Sequence, residues 1–251
     1  MRKLLAANWK MHLYADTAQA LAQQLRHHWQ EKGWQNLPTV IFPPLLYLRE
    51  IANILKHSSI QVGAQNAYPG EFGAFTGEVS VAQVSASGGA WLIVGHSERR
   101  QYFAEKAPLL QRKLLDAQHR GLKVIYCIGE TLEERRCGET LNVLRQQILE
   151  VLQGVSVAWN QLAIAYEPVW AIGTGINATP DQAQEAHAFI RQLLTELGAP
   201  ASHIPILYGG SLKPENAHEL FRQPDIDGGL VGGASLQANS FAAIAAALWD
   251  K

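Results

Sequence analysis

Residues 162–182 read Leu162-Ala163-Ile164-Ala165-Tyr166-Glu167-Pro168-Val169-Trp170-Ala171-Ile172-Gly173-Thr174-Gly175-Ile176-Asn177-Ala178-Thr179-Pro180-Asp181-Gln182. The first five are a short apolar run, the pattern of a strand buried on both faces, as parallel strands are. Thr179-Pro180-Asp181-Gln182 is a capping box with proline in the first helical turn. Ala183, Ala186, Ile190, Leu193 and Leu197 then share one helical face, and Gly198 stands just past the end. The stretch is therefore a strand, a loop and a helix. That is the unit from which parallel sheets with crossover helices are built.

The same unit recurs on either side. Short apolar runs occupy residues 4–9, 40–42, 60–64, 91–94, 124–128, 162–166, 206–208 and 229–231, the last being the weakest strand signal. Amphipathic helices lie between them. Ala18, Leu21, Ala22, Leu25 and Trp29 form one apolar face, and Leu141, Leu144, Ile148 and Val151 another. An alanine-rich helix over 241–248 follows the last run. Eight strands give a repeat of roughly 31 residues, the size of a strand plus its crossover helix. An open doubly wound sheet is the competing architecture. The count of eight and the length of 251 residues favour a closed (β/α)8 barrel, an α/β fold of eight parallel strands with outer helices. No linker or low-complexity segment divides the chain, so residues 1–251 read as a single barrel domain.

Composition narrows the function. Hydrophobic residues make up 47% of the chain and the net charge is −1. That balance argues against a non-specific grip on nucleic acid or an anionic membrane. Two cysteines are too few for a disulfide scaffold and suit a reducing compartment. Cys127 lies in an apolar run and reads as a buried thiol. Cys137 lies in a charged stretch and reads as partly exposed. No run approaches the length of a membrane span, and the expected location is cytoplasmic.

In a barrel the chemistry sits where strands end. Those ends carry Asn8-Trp9-Lys10, Gly63-Ala64-Gln65-Asn66, Gly95-His96-Ser97-Glu98-Arg99-Arg100, Gly129-Glu130, Glu167-Pro168, Gly209-Gly210-Ser211 and Gly232-Gly233-Ala234-Ser235. Taken alone, Lys10 is a surface charge, His96 a hydrogen-bonded structural residue, and Glu98 part of an ion-pair network. Glu167 resists such a reading. A carboxylate at the end of a buried strand is costly unless paired or used. Glycine turns let backbone N–H groups approach a phosphate closely. Gly209-Gly210-Ser211 and Gly232-Gly233 fall in the last two loops, where barrels frequently bind phosphate. Together these residues point to a functional site at the barrel mouth that can hold a phosphate.

Residues 173–178 also match the dinucleotide pattern G-x-G-x-x-G/A, in the wrong context. Five residues separate Glu167 from the first glycine, and the helix starts near Pro180. No H-E-x-x-H or C-x-x-C motif occurs. No cofactor and no metal are expected.

These motifs, in this order and across nearly the whole chain, resemble the triosephosphate isomerase family. The matching pieces are Asn8-Trp9-Lys10-Met11, Gly63-Ala64-Gln65-Asn66, Gly73-Ala74-Phe75-Thr76-Gly77-Glu78, the run from Gly95 to Arg100, the run from Glu167 to Gly175, Tyr208-Gly209-Gly210-Ser211, and Leu230-Val231-Gly232-Gly233-Ala234-Ser235-Leu236. The resemblance implies a TIM barrel that acts as a homodimer. It implies interconversion of dihydroxyacetone phosphate and glyceraldehyde 3-phosphate, within glycolysis and gluconeogenesis.

It also implies roles. Glu167 is the base, His96 the neutral electrophile, Lys10 the fixed cation and Asn8 a donor to the substrate oxygens. Glu98 supports Lys10 and His96. The phosphate is held by Gly173, Ser211, Gly232 and Gly233. Residues 168–178 form a lid with a rigid start at Pro168, Val169 and Trp170. Ile172 and Leu230 clamp the carboxylate, and Tyr208 with Ser211 latches the lid. The loop over 67–79, with Thr76 and Glu78, would enter a partner subunit near Lys10, and Gln65 and Arg99 are further interface residues.

Three positions depart from the commonest family pattern. Ala7 stands where glycine is common, His12 where asparagine is usual, and Ile176-Asn177-Ala178 differs at the second lid hinge. The first two are expected to stay clear of substrate. Competing readings are an isomerase of a four-carbon ketose phosphate, a silent barrel used for binding, and a Schiff-base aldolase acting through Lys10.

Overall fold

The computed structural model describes residues 3–172 and 177–251. Eight parallel strands close into a barrel in chain order, with the last pairing the first. They are β1 (Leu4–Asn8), β2 (Thr39–Phe42), β3 (Ile60–Ala64), β4 (Trp91–Val94), β5 (Lys123–Ile128), β6 (Leu162–Tyr166), β7 (Ile206–Tyr208) and β8 (Gly228–Val231). The helices among the described residues are α1 (Ala15–Glu31), α2 (Leu48–Leu55), α3 (Val81–Ala86), α4 (Ser97–Tyr102), α5 (Ala107–His119), α6 (Leu132–Arg136), α7 (Thr140–Leu152), α8 (Pro180–Glu196), α9 (Pro214–Phe221) and α10 (Ala238–Trp249). The closed architecture replaces the open-sheet alternative. Among the described residues no helix is long and apolar enough to cross a membrane.

Alternation along each strand splits the core in two. Leu4, Ala6, Val40, Phe42, Trp91, Ile93, Ile125, Cys127, Ala163, Ala165, Leu207 and Leu230 form one buried cluster made of strand residues alone, the barrel interior. The intervening residues, such as Leu5, Ala7, Ile41, Tyr126, Ile164 and Tyr166, pack outward against the helices. β3 adds no apolar side chain inside. Gly63 leaves that space to Phe42 and Trp91, and a Cβ there would collide with both. Gln61 is exposed and accepts the Trp91 indole N–H at 2.7 Å, so β3 is not apolar on both faces as its composition suggested.

Helix ends follow the chain's punctuation. Thr179 Oγ1 accepts the Gln182 N–H and the Gln182 side chain accepts the Thr179 N–H, closing the expected capping box of α8. At the other end Gly198 takes φ +75°, and the Ala199 and Gly198 amides donate back to Leu194 and Thr195. α1 ends the same way at Gly33. There the contact that seals the turn is a pair of indoles, Trp29 and Trp34, edge to face at 5.1 Å. The apolar faces land as the periodicity indicates, except that Leu141 and Leu197 at the helix ends are only half-buried.

Candidate active site

The inward alternation continues past the strand ends, and this is what assembles the site. Residues 163, 165 and 167 alternate into the barrel, so Glu167 is the next inward side chain after Ala165. It is 1% exposed. Space for it comes from two glycines. A Cβ on Gly209 would stand 2.9 Å from the Glu167 Cγ, and one on Gly129 would overlap the Glu167 carbonyl.

A cavity of about 360 Å³ opens at this mouth. Asn8, Lys10, His96 and Glu167 give it one wall of side chains, and Ser211, Gly232 and Gly233 a wall of loop residues that adjoins the first where Lys10 passes Gly232. Ile172 and Leu230 add apolar surface to the lining. Glu98 does not line the cavity; it stands behind, with its Oε1 2.5 Å from Lys10 Nζ. Pro168, Val169, Trp170 and Tyr208 likewise lie behind the wall. Gly173, Thr174, Gly175 and Ile176 fall outside the described residues. His12 corrects an expectation: it lines the cavity, so the departure from asparagine at this position does reach the site. Ala7 behaves as expected, buried on the helix-facing side.

The carboxylate is held firmly. Its Oε2 accepts the Ser97 N–H at 2.8 Å, and its Oε1 lies 3.1 Å from His96 Nε2. His96 Nδ1 accepts the Glu98 N–H at 3.2 Å, at the start of α4. A ring nitrogen that accepts a backbone N–H carries no proton, so the neutral ring has its proton on Nε2, facing the cavity. Below Glu167, the Cys127 thiol is buried inside the barrel. Burial first, and then the Glu167 carboxylate it donates to, push the thiol well above its ordinary range. Cys127 is thus inert packing, as its apolar run suggested, and Cys137 is exposed.

Lys10 has a strained backbone, with φ +50°. Two side chains hold it there. Asn8 Oδ1 accepts the Lys10 N–H at 3.0 Å, and Gln65 Nε2 donates to the Lys10 carbonyl at 2.8 Å and to the Phe42 carbonyl at 2.9 Å. Burial would raise the Glu98 carboxyl, but the hydrogen bond from Lys10 and the Lys10 charge leave it below its ordinary value. Lys10 and Glu98 are therefore fixed as an ion pair at the cavity edge.

Glu130 has a role that the sequence did not disclose. It is fully buried, and its Oε1 accepts the Tyr166 hydroxyl at 3.0 Å, the Trp170 indole at 2.9 Å and Arg135 at 3.1 Å. Its carbonyl accepts the Val169 N–H at 3.0 Å. Glu130 thus anchors the turn Val169–Ala171 that leads out of Glu167. Tyr166 titrates far above the ordinary range, through burial and then the Glu130 charge. Tyr208 is pushed up to about 12 by burial, and its hydroxyl faces the Ala178 backbone without a well-formed hydrogen bond.

The residues assigned to an interface divide. Thr76 and Glu78 stand on the exposed loop before α3. Gln65 and Arg99 are engaged within the chain, Gln65 under Lys10 and Arg99 on Glu105 at 2.7 Å. Among the described residues no cluster of three or more His, Cys, Asp or Glu side chains is placed to hold a metal.

A parallel (β/α)8 barrel with a carboxylate, an imidazole and a lysine gathered at the carboxyl ends of its strands is a barrel enzyme in its construction. Residues 3–248 match the family described as Triosephosphate isomerase. Triosephosphate isomerases of Xanthomonas campestris pv. campestris and Stenotrophomonas maltophilia are each 48% identical over 248 residues, covering 98% of both chains. That of Pseudomonas fluorescens is 48% identical over 246 residues, covering 97% of both. The chain belongs to the triosephosphate isomerase family.

Proposed function

We propose that the chain interconverts dihydroxyacetone phosphate and D-glyceraldehyde 3-phosphate without a cofactor, through an enediolate. Glu167 takes the proton from the carbon beside the carbonyl and returns it to the neighbouring carbon. His96 donates its Nε2 proton to the carbonyl oxygen and recovers one from the adjacent hydroxyl, so the atoms balance over one turnover. Lys10 and Asn8 stabilise the charge developing on the oxygens. The phosphate lies against the N–H groups of Ser211, Gly232 and Gly233, with the Lys10 charge nearby.

The observation that carries this reading is the fixed tautomer of His96 opposite a buried Glu167. A neutral donor and an ionisable base meet in a cavity that the glycine-bearing turns at 209–211 and 232–233 also line. A neutral catalytic histidine paired with a glutamate base is the established pattern of this enzyme family, so the mechanism is inherited from the family and is not new to this chain. The test is an assay with glyceraldehyde 3-phosphate on the wild type and Glu167→Gln. We expect turnover in the wild type and a fall of about 10²–10⁴-fold in kcat in the variant, with the fold intact. A variant near the wild-type rate would remove Glu167 as the base.

The working form is a homodimer. Met11, Tyr14, Leu46, Phe72, Tyr102 and Phe103 are large apolar residues left more than 60% exposed near the mouth or its loops. That much exposed apolar surface fits a protein interface. Sedimentation is expected to give twice the chain mass of 27.6 kDa; a single-chain mass would overturn it. The enzyme serves glycolysis and gluconeogenesis in the cytoplasm.

A further inference from the structure

The ladder between β5 and β6 ends at Ile128 and Tyr166. Gly129, the next residue, therefore lies beyond regular strand pairing, and buried peptide groups at such an edge need other partners. Both come from one side chain. Gln147, in the middle of α7, accepts the Gly129 N–H at 2.9 Å and donates to the Gly129 carbonyl at 3.0 Å. Gln147 is braced in turn. Its carbonyl accepts the Tyr126 hydroxyl at 2.6 Å, and Tyr126 accepts a hydrogen bond from Arg100 at 3.1 Å. Arg100 also donates to the Gly95 and Cys127 carbonyls, at 2.8 and 3.1 Å.

What Gly129 touches gives this clamp its meaning. Its α-carbon rests so close to the Glu167 backbone that no side chain fits between them. The residue before it, Ile128, accepts the Glu167 N–H at 2.7 Å. The residue after it, Glu130, holds Val169 and Trp170. A shift of the Gly129 peptide therefore moves the Glu167 backbone and the turn that follows it together.

We propose that Gln147 is a positioning residue for Glu167, setting the base from the outer ring of helices through the Gly129 peptide. The proposal rests on Glu167 being the base. Gln147 does not line the cavity and its clamp touches neither Ser211 nor Gly232 nor Gly233, so its loss acts first on the proton-transfer step.

The test compares the wild type, Glu167→Gln, Gln147→Leu and Gln147→Glu for kcat, KM, inhibition by inorganic phosphate, and unfolding midpoint. For Gln147→Leu we expect kcat to fall about tenfold or more, as sub-ångström misplacement of a reacting group does. KM and phosphate inhibition should stay at wild-type values. Gln147→Glu keeps the acceptor for the Gly129 N–H but, when ionised, repels the Gly129 carbonyl. Ionised at neutral pH, it should lower kcat about as Gln147→Leu does, again with KM and phosphate inhibition unchanged. A Gln147→Leu enzyme that melts earlier yet turns over at the wild-type rate would overturn the proposal. So would a joint loss of kcat, KM and phosphate inhibition. If Gln147→Leu does not fold, a wild-type kcat for Gln147→Glu at neutral pH overturns it. Full activity in Glu167→Gln would defeat the assignment of the base, a separate result from any of these.

Discussion

The two walls of the cavity are built by opposite means. The wall bearing Glu167 is made of side chains, each fixed by several bonds: Glu167 by Ser97 and His96, His96 by the Glu98 amide, Lys10 by Asn8, Gln65 and Glu98. The wall bearing Ser211, Gly232 and Gly233 offers mostly backbone, and a Cβ on Gly233 would meet nothing within 4 Å. The difference follows from what each wall must do. Proton transfer depends on sub-ångström placement of a few polar atoms. Holding an anion needs N–H groups that can be approached. The first wall should therefore fail sharply when crowded, and the second should yield gradually.

Glycine-to-alanine changes probe that contrast. The largest effect is expected at Gly129, where the added methyl overlaps the Glu167 carbonyl. Backbone must move, and Gly129→Ala should lose more than about 3 kcal/mol in denaturant unfolding. A midpoint near that of the wild type would show that the strand ends are softer than described. Gly209→Ala comes next. Its methyl would stand 2.9 Å from the base side chain and 3.2 Å from the Tyr166 carbonyl oxygen, a milder clash than the overlap at Gly129. We expect a loss of about tenfold or more in kcat with little change in inhibition by phosphate; an effect on KM alone would mean that the two walls are not separable.

Acid should weaken the support of the first wall. His187 packs edge-on to Tyr166 at 5.8 Å, is fully buried, and is lowered by burial to about 3. The folded state keeps it neutral while the unfolded chain binds a proton near pH 6.5. The unfolded state thus holds more protons between about pH 6.5 and pH 3, and stability falls as pH drops through that window, by about 1.4 kcal/mol per unit. Replacing His187 by Gln should flatten this slope in unfolding measured from pH 7 to pH 4 (both approximate limits); an unchanged slope would assign it to other groups. The smallest effect is expected at Gly233→Ala: stability within about 0.5 kcal/mol and kcat unchanged, with only KM raised. A collapse in kcat there would make the second wall as exacting as the first.

Much of this was legible because strand and helix signals are local. The capping box at Thr179 and the apolar faces of α1 and α8 needed no tertiary information. β8 was faint for a tertiary reason. Gly228 and Gly229 carry no side chain because Leu4 backbone and the Leu212 side chain occupy those places. The site residues stood at strand ends, where the barrel rule located them. What stayed hidden was the facing of each strand. Both faces are apolar, so alternation gives no contrast, and the shared inward parity of Ala163, Ala165 and Glu167 emerges only once the interior cluster is known. Glu130 and Gln147 were hidden for another reason: their partners lie 40 and 18 residues away, at Trp170 and Gly129. His12 looked remote because a chain position says nothing of which way a loop turns after the strained Lys10.

The alternation along each strand also predicts which reading-frame-preserving accidents this protein can survive. Losing one codon inside β6 would rotate every later inward position outward and carry Glu167 to the helix side. Losing one beyond the strand, in the connection back to the next, merely shortens a tether. Single-codon deletions mapped along the gene should therefore be tolerated in the connections that lead back to each next strand, and refused in the strands, in the site loops at their carboxyl ends and inside the packed helices.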